Sequence, residues 1–478
     1  MYNDVNLFIN GQWCPASDGK TQEVTDPSTE QALASVAVAT VDDLNGALAA
    51  ASEAFKTWRA TGTWDRAAKL RKVAELIRER LSDISHQMSL ETGKPLAECM
   101  GETNAAADHF EWFSEESKRI YGQIIGSRTP DSRMSVIYQP VGVVAAFTAW
   151  NFPALLPARK MAAALAAGCS IIIKPAGETP ASCAALVQAC ADAGIPDGTV
   201  NMVTGKSSMI AEHLIRSPIV RKVSVTGSIS VGKQILALAA EGVKKVSMEL
   251  GGHAPVVVFD DFDAVKAAEI CAPVKFRNCG QVCISPTRFY VHERSYEAFS
   301  SRFAEIANGL KIGRGVDDGV QIGPMANPRG LATVSDMTKD ALDKGAELLA
   351  GGKAPAEFNS GYYWEPTVLG RVPDDALVMN EEPFGPIAPI TTFSDYDEVM
   401  ERANSLPFGL AGYLFTNDLG TATRAYEDLQ VGMVGVNEML LSTAEAPFGG
   451  VKESGMGREG GSIGIMDYLD PKLVKMKL

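Results

Sequence analysis

Three scarcities in this chain each close off a class of protein. Cysteine is sparse: eight in 478 residues, at positions 14, 99, 169, 183, 190, 271, 279 and 283. That is too few for a disulfide scaffold, and the spacings hold no pair of CxxC knuckles for zinc. No metal site is expected, and a reducing cytoplasm is the simplest compartment. Basic charge is in deficit as well. With 44 Lys and Arg against 58 Asp and Glu the net charge is −14, and because phosphate backbones require a basic surface, nucleic acid is excluded as a partner. Long apolar runs are missing too. No stretch reaches membrane-spanning length, and the first residues lack a basic region followed by an apolar one, so neither insertion nor export is expected.

What is present is ordinary globular material, 46% hydrophobic and 21% charged, in a chain longer than one hydrophobic core supports. A strand-like Leu7-Phe-Ile-Asn-Gly start is followed by helical periodicity over Val41 to Trp58. The spacing of Leu70, Val73, Leu76, Ile77, Leu81 and Ile84 predicts one helix over Asp65 to Leu90, and another is expected from about Pro95 to Ile120. From Val141 the texture becomes an alternation. Strands 141–147, 171–174, 199–203, 222–225 and 244–248 are interleaved with helices 154–167, 181–193, 207–216 and 229–240. This β-α repeat predicts a parallel sheet covered on both faces, with ligands at the carboxyl ends of its strands. Gly251-Gly252 marks a boundary before a second α/β series, the Gly/Pro-rich stretch 351–373 reads as a surface loop, and Leu473-Val-Lys-Met-Lys alternates like an edge strand open to another subunit.

Several residues stand where this architecture places chemistry. Cys283 sits in a Gly/Gln turn within Lys275–Arg288, flanked by arginines, a setting that either turns a thiol into a thiolate nucleophile or simply packs an inert cysteine. Gly227 to Lys233 fits GxxxxGK, yet Gln234 replaces the Ser or Thr that would hold Mg²⁺. What remains is a Gly-rich turn at a helix N-terminus, suited to a dinucleotide pyrophosphate. Lys174 ends an apolar strand, where its cation can reach a ribose or phosphate or simply be solvated. Glu249, at a strand end before two glycines, is a candidate general base or a salt-bridge partner. Asn151, at a strand-to-helix turn, offers an amide for an oxyanion or a helix cap.

Six motifs in order, Trp150-Asn-Phe-Pro, Ile173-Lys-Pro-Ala, Met248-Glu-Leu-Gly-Gly, Gly280-Gln-Val-Cys283, Glu382-Pro-Phe-Gly-Pro and Pro447-Phe-Gly-Gly, resemble the signatures of the aldehyde dehydrogenase superfamily. The resemblance covers practically the whole chain. It implies an α/β fold with a Rossmann-like cofactor domain (1–122 and 142–251), an α/β catalytic domain (252–445), and oligomerisation elements (a hairpin at 123–141, with 446–478) that make a homodimer or homotetramer. It further implies that Cys283 attacks an aldehyde, that Asn151 and the Cys283 N–H hold the oxyanion, and that Glu249 activates water. Glu382 and Phe384 match residues at the nicotinamide ribose and ring, and Trp150, Lys174, Gly227 and Ser228 match the adenosine and pyrophosphate side. Gly177 stands where NAD-preferring relatives carry a Glu that binds the ribose hydroxyls. NADP is therefore favoured over NAD, with Glu178 able to reverse the preference.

Within the superfamily the chain is most similar to succinate-semialdehyde dehydrogenases, whose carboxylate-binding residues match Arg159, Arg277 and Ser442. Two guanidiniums and a hydroxyl suit a carboxylate in charge-assisted geometry. Dehydrogenases of 2,5-dioxopentanoate share Glu249-Leu-Gly-Gly-His-Ala-Pro and the segment after Cys283, so that substrate, or a broad aldehyde range, is the alternative. Two departures stand out. Ser285 replaces the second cysteine of a regulatory pair, and Cys279 supplies a thiol four residues before the nucleophile, either packing or able to resolve an oxidised Cys283. A non-oxidative cysteine thioesterase or acyltransferase is the rival from another class. Arg288 carries no assigned chemistry.

Overall fold

The computed structural model describes residues 2–478. Its first sheet has eight strands, in the order Gly455–Met456, Lys245–Leu250, Val220–Gly227, Val143–Phe147, Ser170–Lys174, Val200–Met202, Leu7–Ile9 and Gln12–Cys14. The strands from Lys245–Leu250 to Val200–Met202 run parallel. They are almost continuously apolar because helices bury both faces, and the two faces form separate cores. Strand order reverses between Val143–Phe147 and Val220–Gly227, which opens a crevice at their carboxyl ends. Trp150 and Asn151 follow the first of these strands, the Gly227-Ser228 turn ends the second, and Lys174 and Glu249 close their neighbours.

A seven-stranded sheet forms the second unit, in the order Glu347–Ala350, Thr367–Gly370, Ile387–Phe393, Pro286–His292, Ala254–Val258, Ala411–Phe415 and Met433–Val436, parallel except for its first strand. Its core carries the Cys283 loop on one edge. A third sheet joins Gln123–Ile125, Ser132–Pro140 and Leu469–Lys477, the last two paired antiparallel over nine residues.

Two expectations are corrected. The helix expected over Asp65 to Leu90 is two helices, Thr63–Glu79 and Leu81–Thr92, separated at Arg80 (φ −101°, ψ 14°). The apolar stripe runs on through a bend with no Gly or Pro to announce it. The stretch 351–373 is not all surface loop, since Thr367–Gly370 is a fully buried strand of the second sheet. The four residues Thr367–Gly370 are too few to show a period. The segment 446–478 is divided between sheets. Gly455–Met456 pairs with the first sheet and Glu459 with Lys160, so only Leu469–Lys477 belongs to the third sheet.

Candidate active site

The Cys283 loop is shaped by a backbone reversal. Helix Ala264–Phe276 ends, and Asn278, Cys279 and Gly280 take left-handed conformations in succession (φ 49°, 54° and 71°). A side chain at Gly280 would collide with the Gly385 carbonyl. Two non-glycine residues in this region cost on the order of 1–3 kcal/mol each unless neighbours hold them. Here the neighbours do. The Asn278 N–H donates to Glu98 Oε2 at 2.8 Å, and its side-chain amide donates to the carbonyls of Asn151 and Gln281, each at 3.1 Å. Gln281 Nε2 donates back to the Asn278 carbonyl at 3.0 Å.

Asn151 is braced by the same network. Its Nδ2 donates to the Gln281 carbonyl at 3.2 Å, which leaves one amide N–H uncommitted. Lys94 Nζ donates to the Asn151 carbonyl at 2.9 Å and ion-pairs with buried Glu102. Glu102 Oε1 in turn accepts from the N–H groups of Ala154 and Leu155 at the start of helix Leu155–Ala167. Asn151 itself caps no helix.

The electrostatics of Cys283 differ from the electropositive loop expected from sequence. Arg288 turns away and donates to the carbonyls of His253 and Ala403. Arg277 faces the cavity and the ring of Phe152. The burial of Cys283 and the charge of Glu249 beside it push the thiol well above its usual range. Glu249 is raised in turn by burial and by Glu459. Both Glu249 carboxylate oxygens are buried without a hydrogen-bond partner, and the buried Lys160–Glu459 ion pair lies next to them. Flanking charge in sequence was therefore a poor guide: the nearby acid raises the thiol's pKa, Arg288 binds backbone carbonyls and Arg277 faces the cavity.

Cys283, Arg159, Arg277 and Ser442 come together on one cavity of about 290 Å³. Arg159 Nη2 donates to Ser442 Oγ at 2.6 Å, and its guanidinium lies 3.9 Å over the ring of Phe448. Arg277 Nε is buried with no partner. Among the described residues neither guanidinium has a carboxylate within ion-pair distance. His109 Nε2 accepts from Arg159 Nε at 3.4 Å, and burial and the Arg159 charge hold its pKa well below the usual histidine value, so it remains neutral.

Sequence reasoning missed Glu98, Phe152 and Phe448 as cavity walls, and the Lys160–Glu459 pair. One signal was available: Arg159 and Lys160 are the only charges in the thirteen wholly buried residues of Leu155–Ala167. Cys279 is 1% exposed, with its sulfur 3.7 Å from that of Met325 in the core, a packing position. Ser285 Oγ accepts from buried Lys275 Nζ at 3.4 Å.

On the other side of Cys283 the crevice fits a dinucleotide. Ser228 caps helix Ile229–Glu241 by accepting from the Val231 N–H, and a Cβ added at Gly227 would meet nothing within 4 Å, so this helix N-terminus stands open. Lys233 does not aim at that opening. It pairs with Glu453 at 2.8 Å, which removes the remaining P-loop argument. Lys174 Nζ donates to Ser207 Oγ at 2.7 Å, and Gly177 faces the side-chain amide of Gln22. Burial lowers the Lys174 pKa against the opposing pull of Glu178. Glu382 Oε1 accepts from the Gly252 N–H at 3.4 Å, and burial pushes its carboxyl up to about 8. Trp150 packs edge-on to Phe384 with centroids 5.5 Å apart, so its ring adjoins the residue matched to the nicotinamide end.

The model of the aldehyde dehydrogenase family matches residues 13–474. The chain is 45% identical to the succinate-semialdehyde dehydrogenase [NADP(+)] of Escherichia coli, over 98% of each chain. It is 46% identical to a 3-sulfolactaldehyde dehydrogenase of Pseudomonas putida, over 98% of this chain and 96% of that one. The crystal structure of a succinate-semialdehyde dehydrogenase from Burkholderia pseudomallei superposes with a TM-score of 0.97 at 43% identity, covering 99% of this chain and 98% of the other. The protein belongs to the aldehyde dehydrogenase family.

Proposed function

We propose that this protein oxidises aldehydes bearing a distal carboxylate, succinate semialdehyde foremost, with NADP preferred to NAD. The observation that carries the reading is the pair of guanidiniums, Arg159 and Arg277, without carboxylate partners in the cavity that Cys283 opens on. A buried charge without a counterion is costly, and a substrate anion supplies the missing one. The named substrates of the relatives in Escherichia coli and Pseudomonas putida share an anionic end, carboxylate in one and sulfonate in the other.

The chemistry follows from the groups present. Glu249 takes the Cys283 proton, which its position and raised affinity for protons allow. The thiolate adds to the aldehyde carbon, and the oxyanion is held by the free Asn151 amide N–H and the Cys283 N–H. Bound nicotinamide supplies the acceptor for the hydride that leaves this carbon, and Glu382 and Phe384 would position its ribose and ring. Glu249 gives that first proton up to solvent and then takes one from water, the hydroxide attacks the thioester carbonyl, and Cys283 departs as thiolate with the acid as product. Lys174 with Ser207 would receive the adenosine 2′-phosphate, and Gly177 places no carboxylate against it.

Initial rates with succinate semialdehyde, 2,5-dioxopentanoate and butanal, each with NADP and with NAD, test the reading. The acids are expected to be far better substrates than butanal, and NADP the better cofactor. Arg277→Ala is expected to raise KM roughly 10- to 100-fold for the acids, the loss of one charge-assisted contact, with a small change for butanal. Equal use of acid and uncharged aldehyde overturns the anchor assignment.

The third sheet exposes Ile124, Leu473 and Met476, and we assign it to self-association as a homodimer or homotetramer, which sedimentation velocity reads directly. All eight cysteines are free, in keeping with a cytoplasmic enzyme. Among the described residues no helix is long and apolar enough to cross a membrane.

A further inference from the structure

We propose that Glu98 is a specificity-determining residue: set in the cavity wall near Arg277, its ionised carboxylate competes with the substrate's distal anion for that guanidinium, so anionic aldehydes are taken by the Glu98-protonated enzyme. The inference rests on the assignment of Arg159 and Arg277 as the anion anchor.

Glu98 lies in the first turn of helix Leu96–Glu116 and lines the cavity together with Arg159, Arg277, Ser442 and Cys283. Its Oε2 is fixed by the Asn278 N–H, next in sequence to Arg277, yet it makes no ion pair with that arginine. The surrounding charges leave Glu98 as the adjustable one. On its own segment, Lys94 and Glu102 neutralise each other, and the Cys99 thiol is buried and held protonated. Arg277 and the protonated Cys279 face it from the nucleophile loop, and Arg159 and Cys283 from across the cavity. The distal end therefore carries two positive charges when Glu98 is neutral and a net one when it is ionised. Burial pushes Glu98 up to about 7, against the Asn278 N–H, Lys94 and Arg277, so both forms are populated near neutrality.

The sign is fixed. A bound anion beside Glu98 raises its pKa further, so anion binding takes up a proton. Affinity for the anion is greatest below about pH 7 and falls as pH rises through the Glu98 pKa. Ionisation of Cys283, Glu249 and Glu382 alters turnover of every aldehyde and cancels in a ratio of two substrates.

The test is the ratio of kcat/KM for succinate semialdehyde to that for butanal, from about pH 6 to about pH 8.5. In the unaltered enzyme the ratio is expected to fall roughly thirtyfold as the competent fraction declines. In Glu98→Gln, which keeps an acceptor for the Asn278 N–H, it should stay flat at or above its low-pH value. A flat ratio in the unaltered enzyme, or an equal fall in Glu98→Gln, overturns the proposal. Proton uptake gives a reading without any variant: calorimetry in two buffers of different ionisation enthalpy should show greater uptake near pH 7.5 for succinamate than for uncharged butyramide, and equal uptake counts against Glu98. Arg277→Ala separates the two layers. Acid preference that survives in Arg277→Ala removes the anchor itself, whereas preference lost there with an unchanged profile in Glu98→Gln removes Glu98 alone.

Discussion

Cys283→Ser is expected to lower aldehyde-dependent cofactor reduction at least about a thousandfold, on the order of 4 kcal/mol in the barrier. The structure makes the reason specific. Burial and Glu249 already hold the thiol well above its usual pKa, so near neutral pH the proposed nucleophile depends on passing its proton to Glu249. A serine hydroxyl is a far weaker acid, and the same carboxylate cannot draw its proton off at a useful rate. With the native cysteine, the rate for an uncharged aldehyde should climb with pH above neutrality as thiolate accumulates. Single-turnover measurement of reduced cofactor checks both statements, and a serine variant retaining more than a tenth of the rate contradicts them.

Glu102→Ala carries the largest expected structural effect. It removes the partner of buried Lys94 and leaves the N–H groups of Ala154 and Leu155 without their acceptor. Breaking a buried pair by deleting one member costs about 3–5 kcal/mol, because the remaining charge stays in a dry site. Lys94 also holds the Asn151 carbonyl, so the amide proposed to hold the oxyanion should lose its placement and kcat should fall with stability. The thermal unfolding midpoint is expected to drop sharply in Glu102→Ala. The double replacement Lys94→Met with Glu102→Met should recover part of that loss, and equal midpoints for single and double variants contradict the account.

These two cases also show what sequence could and could not disclose. Parallel strands buried on both faces write themselves as apolar runs such as Ile171–Ile173, so the alternation over 141–250 and the residues at its strand ends were readable, as was the turn around Cys283. The bend at Arg80 and the strand Thr367–Gly370 were not, because one is set by tertiary packing and the other is too short to show a period. The site divides along the same line. Order along the chain brought out Asn151, Glu249 and Cys283, and the matches at Arg159, Arg277 and Ser442. The direction of Arg288 and the brace formed by Lys94, Glu98 and Glu102 depend on contacts between segments 35 to 180 residues apart. Local spacing has no means of expressing those.

The proposed chemistry is tested most directly by trapping the acyl group. Glu249→Gln cannot activate water, so at alkaline pH, where the thiolate forms without Glu249, succinate semialdehyde and NADP should leave one succinyl group on Cys283, seen by intact mass and peptide mapping. One equivalent of reduced cofactor should appear with it, and none of the adduct should form without cofactor. An adduct on another residue, or the same adduct in the absence of cofactor, would contradict oxidative catalysis at Cys283.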